Sequence, residues 1–163
     1  MKNEVMQKKP LKRSKYLVAL SKDHHAGLLF SWKIKEGLKR NIEPARIKKY
    51  IGFFWEHHLA DHFKEEEALL FNRPGDALCL KAKADHRMLA SYIAALNDQG
   101  EGYAVFSELL IAHIRFEERE LFPHLETVLP VTVLNQVCKI LSRNHLTPFI
   151  DNYPDEFWVG NKN

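Results

Sequence analysis

A ten-residue pattern that occurs twice limits what this chain can fold into. HFKEEEALLF spans residues 62–71, and HIRFEERELF spans residues 113–122. Both segments have His, Glu, Glu, Leu and Phe at the same offsets. A His and a Glu four positions apart on an α-helix differ by about 40° in direction and about 6 Å in height, so their side chains share one face. The repeat therefore predicts two helices that each direct an imidazole and a carboxylate towards one point.

Apolar residues recur every three or four positions along four long stretches, a spacing typical of amphipathic helices. Long helices are expected at about 14–40, 44–71, 76–97 and 103–126, and a shorter fifth helix at about 130–143. Gly and Pro fall between these stretches, and no alternation typical of β-strands competes with them. Short loops between long helices imply antiparallel neighbours. The sequence thus predicts an all-α protein: an up-down-up-down antiparallel four-helix bundle with a short fifth helix and an irregular C-terminal tail.

The chain length of 163 residues fits one domain. We expect a flexible basic N-terminal arm at 1–13, the bundle at 14–126, and a short helix and tail that pack on the bundle at 127–163. The longest apolar run, YIGFFW, is far too short for a membrane span, and the N-terminus lacks the apolar core of a signal peptide. We therefore expect a cytoplasmic protein without a membrane partner. The basic arm is typical of a solvated terminus, so a nucleic-acid partner is not expected.

Each of the four long stretches brings at least one histidine into its apolar stripe. His62 and Glu66, for example, interrupt the stripe that begins at Ile47. A buried carboxylate must become neutral, pair with a charge or bind a metal, and no Lys or Arg occupies these inward positions. The sequence therefore predicts a metal site. The candidate ligands are His25, His62, Glu66, His86, His113 and Glu117.

The ligand types indicate which metals suit this site. Imidazole and carboxylate without thiolate suit iron, manganese or zinc. Two glutamates among four histidines can bridge two ions, each of which would take two histidines and share both carboxylates. The chain has no HExxH zinc-protease motif and no Glu-x-x-His motif of the ferritin-like carboxylate sites.

With these residues the chain resembles hemerythrin-like proteins of the HHE cation-binding family. The resemblance covers about 14–126 and rests on the first-helix histidine, HFKEEEALLF, DHRML and HIRFEERELFP. It implies a four-helix bundle with a non-haem di-iron centre that binds or reacts with O₂, NO or peroxide, or that handles iron. Two features differ from the oxygen carriers of that family. Ala90 stands where they have a second third-helix histidine, and their fourth-helix carboxylate is an aspartate five residues after its His, whereas Glu117 follows His113 by four.

The first-helix ligand is one of two adjacent histidines. His25 is preferred because Leu28 follows it at the third position, as Leu89 follows His86. His24 has a different feature in common with His86, because each directly follows an aspartate, Asp23 or Asp85. Both alternatives stay open at the level of sequence.

His58 is a further candidate, because it lies one helical turn before His62 on the same stripe. If the second and third helices are antiparallel, His58 lies one turn from His62 in the same axial direction as Ala90 lies from His86. His58 then either supplies the missing ligand across the bundle or supports a ligand from outside the coordination sphere.

Three functions follow from these observations. The preferred one is a binding or sensing protein for O₂, NO, peroxide or a related small ligand, or an iron-handling protein. Its cofactor would be two iron ions, with zinc or manganese as alternatives. The second is a di-iron oxidase, peroxidase or NO reductase, which needs an electron-delivering partner. The third is a helical interaction module with zinc or no metal. A redox or signalling partner and a homodimer stay open.

Overall fold

The computed structural model describes residues 14–160, so the predicted basic arm at 1–13 lies outside the described residues. Within 14–160 the chain is helical and has no strand. The α-helices are α1 (Val18–Lys39), α2 (Pro44–Phe54), α3 (Ala60–Glu66), α4 (Ala77–Ala94), α5 (Tyr103–Phe116), α6 (Phe122–Val128) and α7 (Val131–Asn144). Three π-helical turns adjoin them: Trp55–Leu59 joins α2 to α3, Glu67–Phe71 follows α3, and Glu117–Leu121 joins α5 to α6.

The π-helical turns make four long helices out of these segments. The first long helix is α1, the second spans 44–71, the third is α4, the fourth spans 103–128, and α7 is a shorter fifth helix. For residues 14–160, the prediction of an all-α protein with a short fifth helix is confirmed. Among the described helices, none is both long enough and apolar enough to cross a membrane.

Local sequence explains where several helices begin. Pro44 occupies the first turn of α2, where its missing N–H has no helical partner to lose. The side chain of Asp76 caps α4 and accepts a hydrogen bond from the backbone N–H of Cys79 at 3.2 Å. Gly102 precedes α5 with a φ of 80°, a left-handed conformation that glycine adopts at little cost. These residues fix the short connections between the long helices.

The apolar core consists of two clusters. The aromatic cluster contains Phe30, Ile34, Tyr50, Phe54, Phe106, Leu110, Phe157 and Trp158, among others. The leucine-rich cluster contains Leu17, Leu20, Leu70, Leu121, Leu125, Val137 and Leu141, among others. In the first and third long helices the chain passes from the leucine-rich to the aromatic cluster, and in the second and fourth it passes in the opposite order. The inward histidines and glutamates lie between the two clusters on every long helix.

The buried face of α1 leaves several large apolar residues exposed. Leu29 and Trp32 are 44% and 48% exposed. The residues that α1 buries include Leu20, Ser21, His24, Gly27, Phe30, Ser31 and Ile34. A Cβ atom on Gly27 would lie 2.9 Å from Cδ1 of Ile114 in α5. Gly27 therefore lets α1 and α5 approach closely, while Leu29 and Trp32 lie on the outside.

The C-terminal tail packs against the aromatic cluster. Phe157 and Trp158 are buried there, 4% and 7% exposed. Asp151 accepts a hydrogen bond from Nζ of Lys33 at 2.7 Å and another from the hydroxyl group of Tyr50. The tail is thus attached to the first and second long helices through apolar burial and a shared carboxylate.

Candidate metal centre

A polar layer of six buried side chains lies between the two apolar clusters. Its members are His24 of α1, His62 and Glu66 of α3, His86 of α4, His113 of α5, and Glu117 at the start of the third π-helical turn. None of the six is more than 5% exposed, and both glutamates are fully buried. Buried polar groups need partners, so this layer requires either internal pairing or bound ions.

The first donor group consists of His24, His62, Glu66 and Glu117. Nε2 of His24 is 2.9 Å from Oε2 of Glu117 and 3.2 Å from Oε1 of Glu66. Nε2 of His62 is 3.0 Å from the same Glu66 oxygen. Two imidazole nitrogens and two carboxylate oxygens therefore converge on one point.

The second donor group consists of His86, His113, Glu66 and Glu117. Nε2 of His113 is 3.0 Å from Oε1 of Glu117, and Nε2 of His86 is 3.3 Å from Oε2 of Glu66. These are the carboxylate oxygens that the first group does not use. Each glutamate thus directs one oxygen to each group, which is the arrangement of a bridging carboxylate.

The donor atoms of this layer fit a pair of metal ions. Several of them have no hydrogen-bond partner although they are buried: Nε2 of His86, Nε2 of His113, Oε2 of Glu66 and both carboxylate oxygens of Glu117. Metal–ligand bonds of about 2.1 Å place adjacent ligand atoms about 3.0–3.5 Å apart. The contacts between imidazole nitrogens and carboxylate oxygens within the two groups run from 2.9 to 3.7 Å, and all the ligand atoms of each group lie within 4.8 Å of one another. The chemistry and the spacing of the donors therefore both suit bound cations.

Four further carboxylates, in addition to Glu66 and Glu117, lie around the four histidines. Each histidine donates a hydrogen bond from Nδ1 to a carboxylate on another long helix. The pairs are His24 with Glu118 at 2.6 Å, His62 with Asp23 at 2.9 Å, His86 with Glu67 at 2.8 Å, and His113 with Asp85 at 3.3 Å. We call these four hydrogen bonds the carboxylate ring. The ring connects the first helix to the second, the second to the third, the third to the fourth and the fourth back to the first.

The carboxylate ring fixes the tautomer of each histidine. With a proton on Nδ1, the lone pair of a neutral imidazole lies on Nε2, which is the atom that faces the donor groups. Carboxylate acceptors behind metal-binding histidines orient the ring and make the ligand nitrogen more basic. In this arrangement each of the four histidines can offer Nε2 to a cation.

Without a cation, the layer is held together by charged pairs. Burial opposes a charge on His62, but Glu66 and Asp23 outweigh burial and raise the pKa of His62 to about 9. For His86, burial likewise lowers the pKa, and contacts with Glu117 and Glu66 raise it to about 10 overall. Protons on these histidines thus take the place of metal charge, and a metal ion must displace them to bind Nε2.

The pKa values of the two glutamates of the layer are shifted downward, opposite to those of His62 and His86. Burial and the neighbouring Glu117 disfavour the charged form of Glu66, but His62 and His24 keep the pKa of Glu66 well below its ordinary value. The pKa of Glu117 is also lowered, because His113, His24 and His86 outweigh its burial. Both glutamates are therefore charged at neutral pH and available as ligands.

The structure brings His24, and not His25, into the donor groups. His24 is 3% exposed, whereas His25 is on the solvent side of α1. The preference for His25 assumed that Leu28 marks the core face, but Leu28 is 37% exposed. The expectation that His25 points inward is therefore wrong. The other five predicted residues lie together with His24 in the polar layer.

His58 lies outside both donor groups. It is buried, its ring stacks on Phe149 with centroids 4.3 Å apart, and its Nε2 is 3.8 Å from Oδ1 of Asp23. It therefore lies near the first helix and the tail, on the His62 side of the layer. The second donor group, which contains His86, therefore gains no ligand from His58.

The carboxylate ring was only partly visible in the sequence. Glu67 and Glu118 follow the predicted ligands in both copies of the ten-residue pattern, and Asp23 and Asp85 each precede a histidine. The repetition of Asp-His and of His-x-x-x-Glu-Glu indicates that these carboxylates lie near the ligands. The histidine partner of each carboxylate is not predictable from sequence, because it depends on the register between helices.

Clefts from the surface reach three of the four histidines. A cleft of about 370 Å³ is lined by His62, one of about 300 Å³ by His24, and one of about 170 Å³ by His113. Small molecules therefore have routes to the edge of both donor groups.

Comparison with known proteins gives one match. A family model described as the hemerythrin HHE cation binding domain matches residues 15–125, a range that contains all six side chains of the polar layer and the whole carboxylate ring. No match was found among curated proteins, and none among solved structures. The match agrees with the resemblance drawn from the sequence motifs.

Proposed function

Because the chain belongs to the hemerythrin HHE cation-binding family, we propose that it binds two iron ions in the polar layer and that this pair binds O₂, NO or a related small ligand. The observation that carries the proposal is the division of six side chains into two donor groups that share both carboxylates. Each group contains two imidazole nitrogens and two carboxylate oxygens, a donor set without thiolate that suits iron and also suits manganese or zinc.

The number of protein donors supports a role in binding small ligands. Each ion would receive four donors from the chain, whereas an octahedral ion takes six ligands. The remaining positions are free for solvent or a diatomic ligand, and an iron pair supplies the redox chemistry that O₂ and NO require. Loss of the oxygen carriers' extra histidine at Ala90 makes the two groups equal in donor number.

The chain's own residues would hold and tune this centre. His24, His62, His86 and His113 would bind through Nε2 while the carboxylate ring keeps Nδ1 protonated. Glu66 and Glu117 would bridge, and the two apolar clusters would limit access of bulk water. The burial and the contacts of the named side chains support these roles.

We also propose the up-down-up-down antiparallel bundle as the arrangement of the four long helices, with the bundle at 14–126 and the fifth helix and tail at 127–163. The support is the alternating order in which successive helices cross the aromatic and leucine-rich clusters. A cytoplasmic location, a homodimer and a redox or signalling partner stay predictions from the sequence.

The test is metal content together with an absorption spectrum of the full chain, purified from iron-supplied cells and measured before and after azide. We expect about two iron ions per chain and near-ultraviolet bands that azide changes. A Glu66→Gln/Glu117→Gln double variant should lose the iron and the bands. Glu120→Gln, which alters an exposed carboxylate of the same π-helical turn as Glu117, is the matched control and should keep both.

Two outcomes would contradict the proposal. Zinc or no metal in the purified protein, with an unchanged helical fold, would favour the interaction module. Iron that survives the double variant would place the metal elsewhere. Turnover of peroxide or NO, measured on the same sample, separates the enzymatic alternative from binding and sensing.

A further inference from the structure

A third cluster of potential ligands lies outside the polar layer, at the mouth of the cleft that His62 lines. Asp23 comes from α1, Glu65 from α3, and His145 follows the last residue of α7. One ligand atom from each lies within 4.8 Å of the others. Nε2 of His145 is 2.6 Å from Oε1 of Glu65, and its Nδ1 is 3.8 Å from Oδ1 of Asp23.

His58 gives an independent indication that this cluster receives a ligand. Its side chain is only 8% exposed, and its Nε2 has no hydrogen-bond partner. That atom is 3.8 Å from Oδ1 of Asp23, the same oxygen that faces His145. A buried imidazole nitrogen without a partner is costly unless it binds something that the protein does not itself supply.

The charge of the cleft favours a cation. The cleft, of about 370 Å³, is lined by three carboxylate and four histidine side chains and by no Lys or Arg. Glu65 has its second oxygen satisfied by the side-chain amide of Asn144, whose Nδ2 donates at 2.6 Å. A neutral amide beside the carboxylate leaves the negative charge of the cluster uncompensated by a fixed positive side chain.

Asp23 serves the two sites with different oxygens. Its Oδ2 accepts the hydrogen bond from Nδ1 of His62 in the carboxylate ring, whereas Oδ1 faces His58 and His145. Binding at the outer cluster therefore does not require the ring to open. The outer cluster is a separate site that touches the polar layer through one carboxylate.

We propose that Asp23, Glu65 and His145, with His58 at the back of the cleft, bind one divalent first-row metal ion in addition to the pair in the polar layer. Mixed imidazole and carboxylate ligands suit zinc, ferrous iron or manganese. His145 lies beyond residues 15–125 that the family model matches. The segment after the bundle thus contributes a ligand, which gives it a role besides packing.

The test uses Zn²⁺ alone as the probe, because zinc binds such ligands and has no redox chemistry. The full chain, freed of metal, is dialysed to equilibrium against buffered Zn²⁺, and bound zinc per chain is measured. We expect about three zinc ions for the natural sequence and about two for His145→Ala. Glu65→Gln should lose the same one equivalent and confirms the result if His145→Ala alters the fold.

The matched control is His124→Ala. His124 is also partly exposed and pairs with a carboxylate, Asp76, at 2.6 Å, but it belongs to none of the potential ligand groups among the described residues. It should leave the zinc content unchanged. A natural sequence and a His145→Ala variant that bind equal amounts of zinc would overturn the proposal.

The result is separable from the function proposed for the polar layer. Glu66→Gln/Glu117→Gln changes only the polar layer, so the outer cluster should still bind about one zinc ion in that variant. If the polar layer binds no metal, the natural sequence binds about one ion and His145→Ala binds none. Loss of one equivalent in His145→Ala supports the outer site in either case.

Discussion

Replacement of Glu66 by Gln tests the bridging arrangement directly. Glu66 directs Oε1 to His24 and His62 and Oε2 to His86, at distances of 3.0–3.3 Å. A glutamine of the same shape has one acceptor oxygen and one NH₂ group, and the NH₂ group is a donor only. The variant can therefore serve one donor group but not both.

The expected loss of iron follows from the number of oxygen ligands that the side chain keeps in the variant. One ion loses a charged ligand completely, and the other keeps a neutral oxygen in place of a carboxylate. We expect the iron content to fall from about two ions per chain to one or fewer. In the metal-free protein the same change removes a buried partner of three histidines, which costs about 3–5 kcal/mol when the partner remains charged and less where a histidine releases its proton.

The matched control is Glu67→Gln, which alters the next carboxylate along the chain. Glu67 accepts the hydrogen bond from Nδ1 of His86 at 2.8 Å and is not a donor to either group. Its replacement should keep two ions and weaken their binding by about 10–100-fold, or about 1.4–2.7 kcal/mol.

The assay is metal analysis of both variants after equal loading with ferrous iron under anaerobic conditions, followed by competition with a chelator of known affinity. Two firmly bound ions in Glu66→Gln would refute the bridging role of this glutamate. Equal losses in Glu66→Gln and Glu67→Gln would refute the distinction between the donor groups and the carboxylate ring.

Three further predictions concern the first helix, the packing of the tail and pH. His24→Ala should lower the iron content, whereas His25→Ala should leave it unchanged, as metal analysis of the two variants will show. Gly37→Ala should reduce the free energy of unfolding by about 1–3 kcal/mol relative to Gly52→Ala in chemical denaturation, because the new Cβ would lie 2.6 Å from a tail aromatic ring at Gly37 and meets nothing within 4 Å at Gly52. Metal affinity should rise with pH up to about pH 10 in competition titrations, since His62 and His86 of the metal-free chain stay protonated below their pKa values of about 9 and about 10 and must release those protons to bind. An affinity that is constant from pH 6.5 to 9.5 would contradict the charged pairs inferred for the metal-free layer.

The helices and most of the polar layer were predictable because they depend on local periodicity. Four amphipathic stretches separated by Gly and Pro predict long helices, and the structure has them. His62 with Glu66, and His113 with Glu117, share a face whatever the neighbouring helices do. The π-helical turns were not predictable, because the α-helical and π-helical forms of a turn differ by one residue in hydrogen bonding and tertiary packing decides between them.

The first helix shows where periodicity fails. An apolar side chain predicts a core face only if the helix buries large residues, but α1 contacts α5 so closely that Gly27 is at the interface. Leu28 therefore lies outside and misdirects the assignment to His25. The aspartate that directly precedes both His24 and His86 was the better signal, because Asp23 and Asp85 accept hydrogen bonds from His62 and His113 on the neighbouring helices and so must face the polar layer.

The outer cluster could not have been found from the sequence. His145 lies eighty residues beyond Glu65, and their contact depends on how α7 returns along the first helix. No periodicity or motif connects a residue at the end of one helix with a residue in the middle of another. Contacts of this kind depend on tertiary packing alone.

The carboxylate ring has a pseudo-twofold symmetry that relates the two halves of the chain. The equivalent residues are Asp23 and Asp85, His24 and His86, His62 and His113, Glu66 and Glu117, and Glu67 and Glu118. The two donor groups thus contain the same side chains in the same order, and two ions bound there would have the same ligands. Any chemical inequivalence between them must originate beyond the ring.

The clefts supply that inequivalence. The cleft beside His62 is lined by Asp61, Glu65 and other polar side chains. In the cleft beside His113, four of the seven lining residues are apolar, and the two charged ones, Lys81 and Asp85, pair with each other at 2.7 Å. A charged or strongly hydrated species therefore meets a polar approach on one side, and an uncharged diatomic molecule meets an apolar approach on the other. Two ions with identical ligands would then differ in which molecules reach them, so the selectivity of the centre would be a property of its approaches.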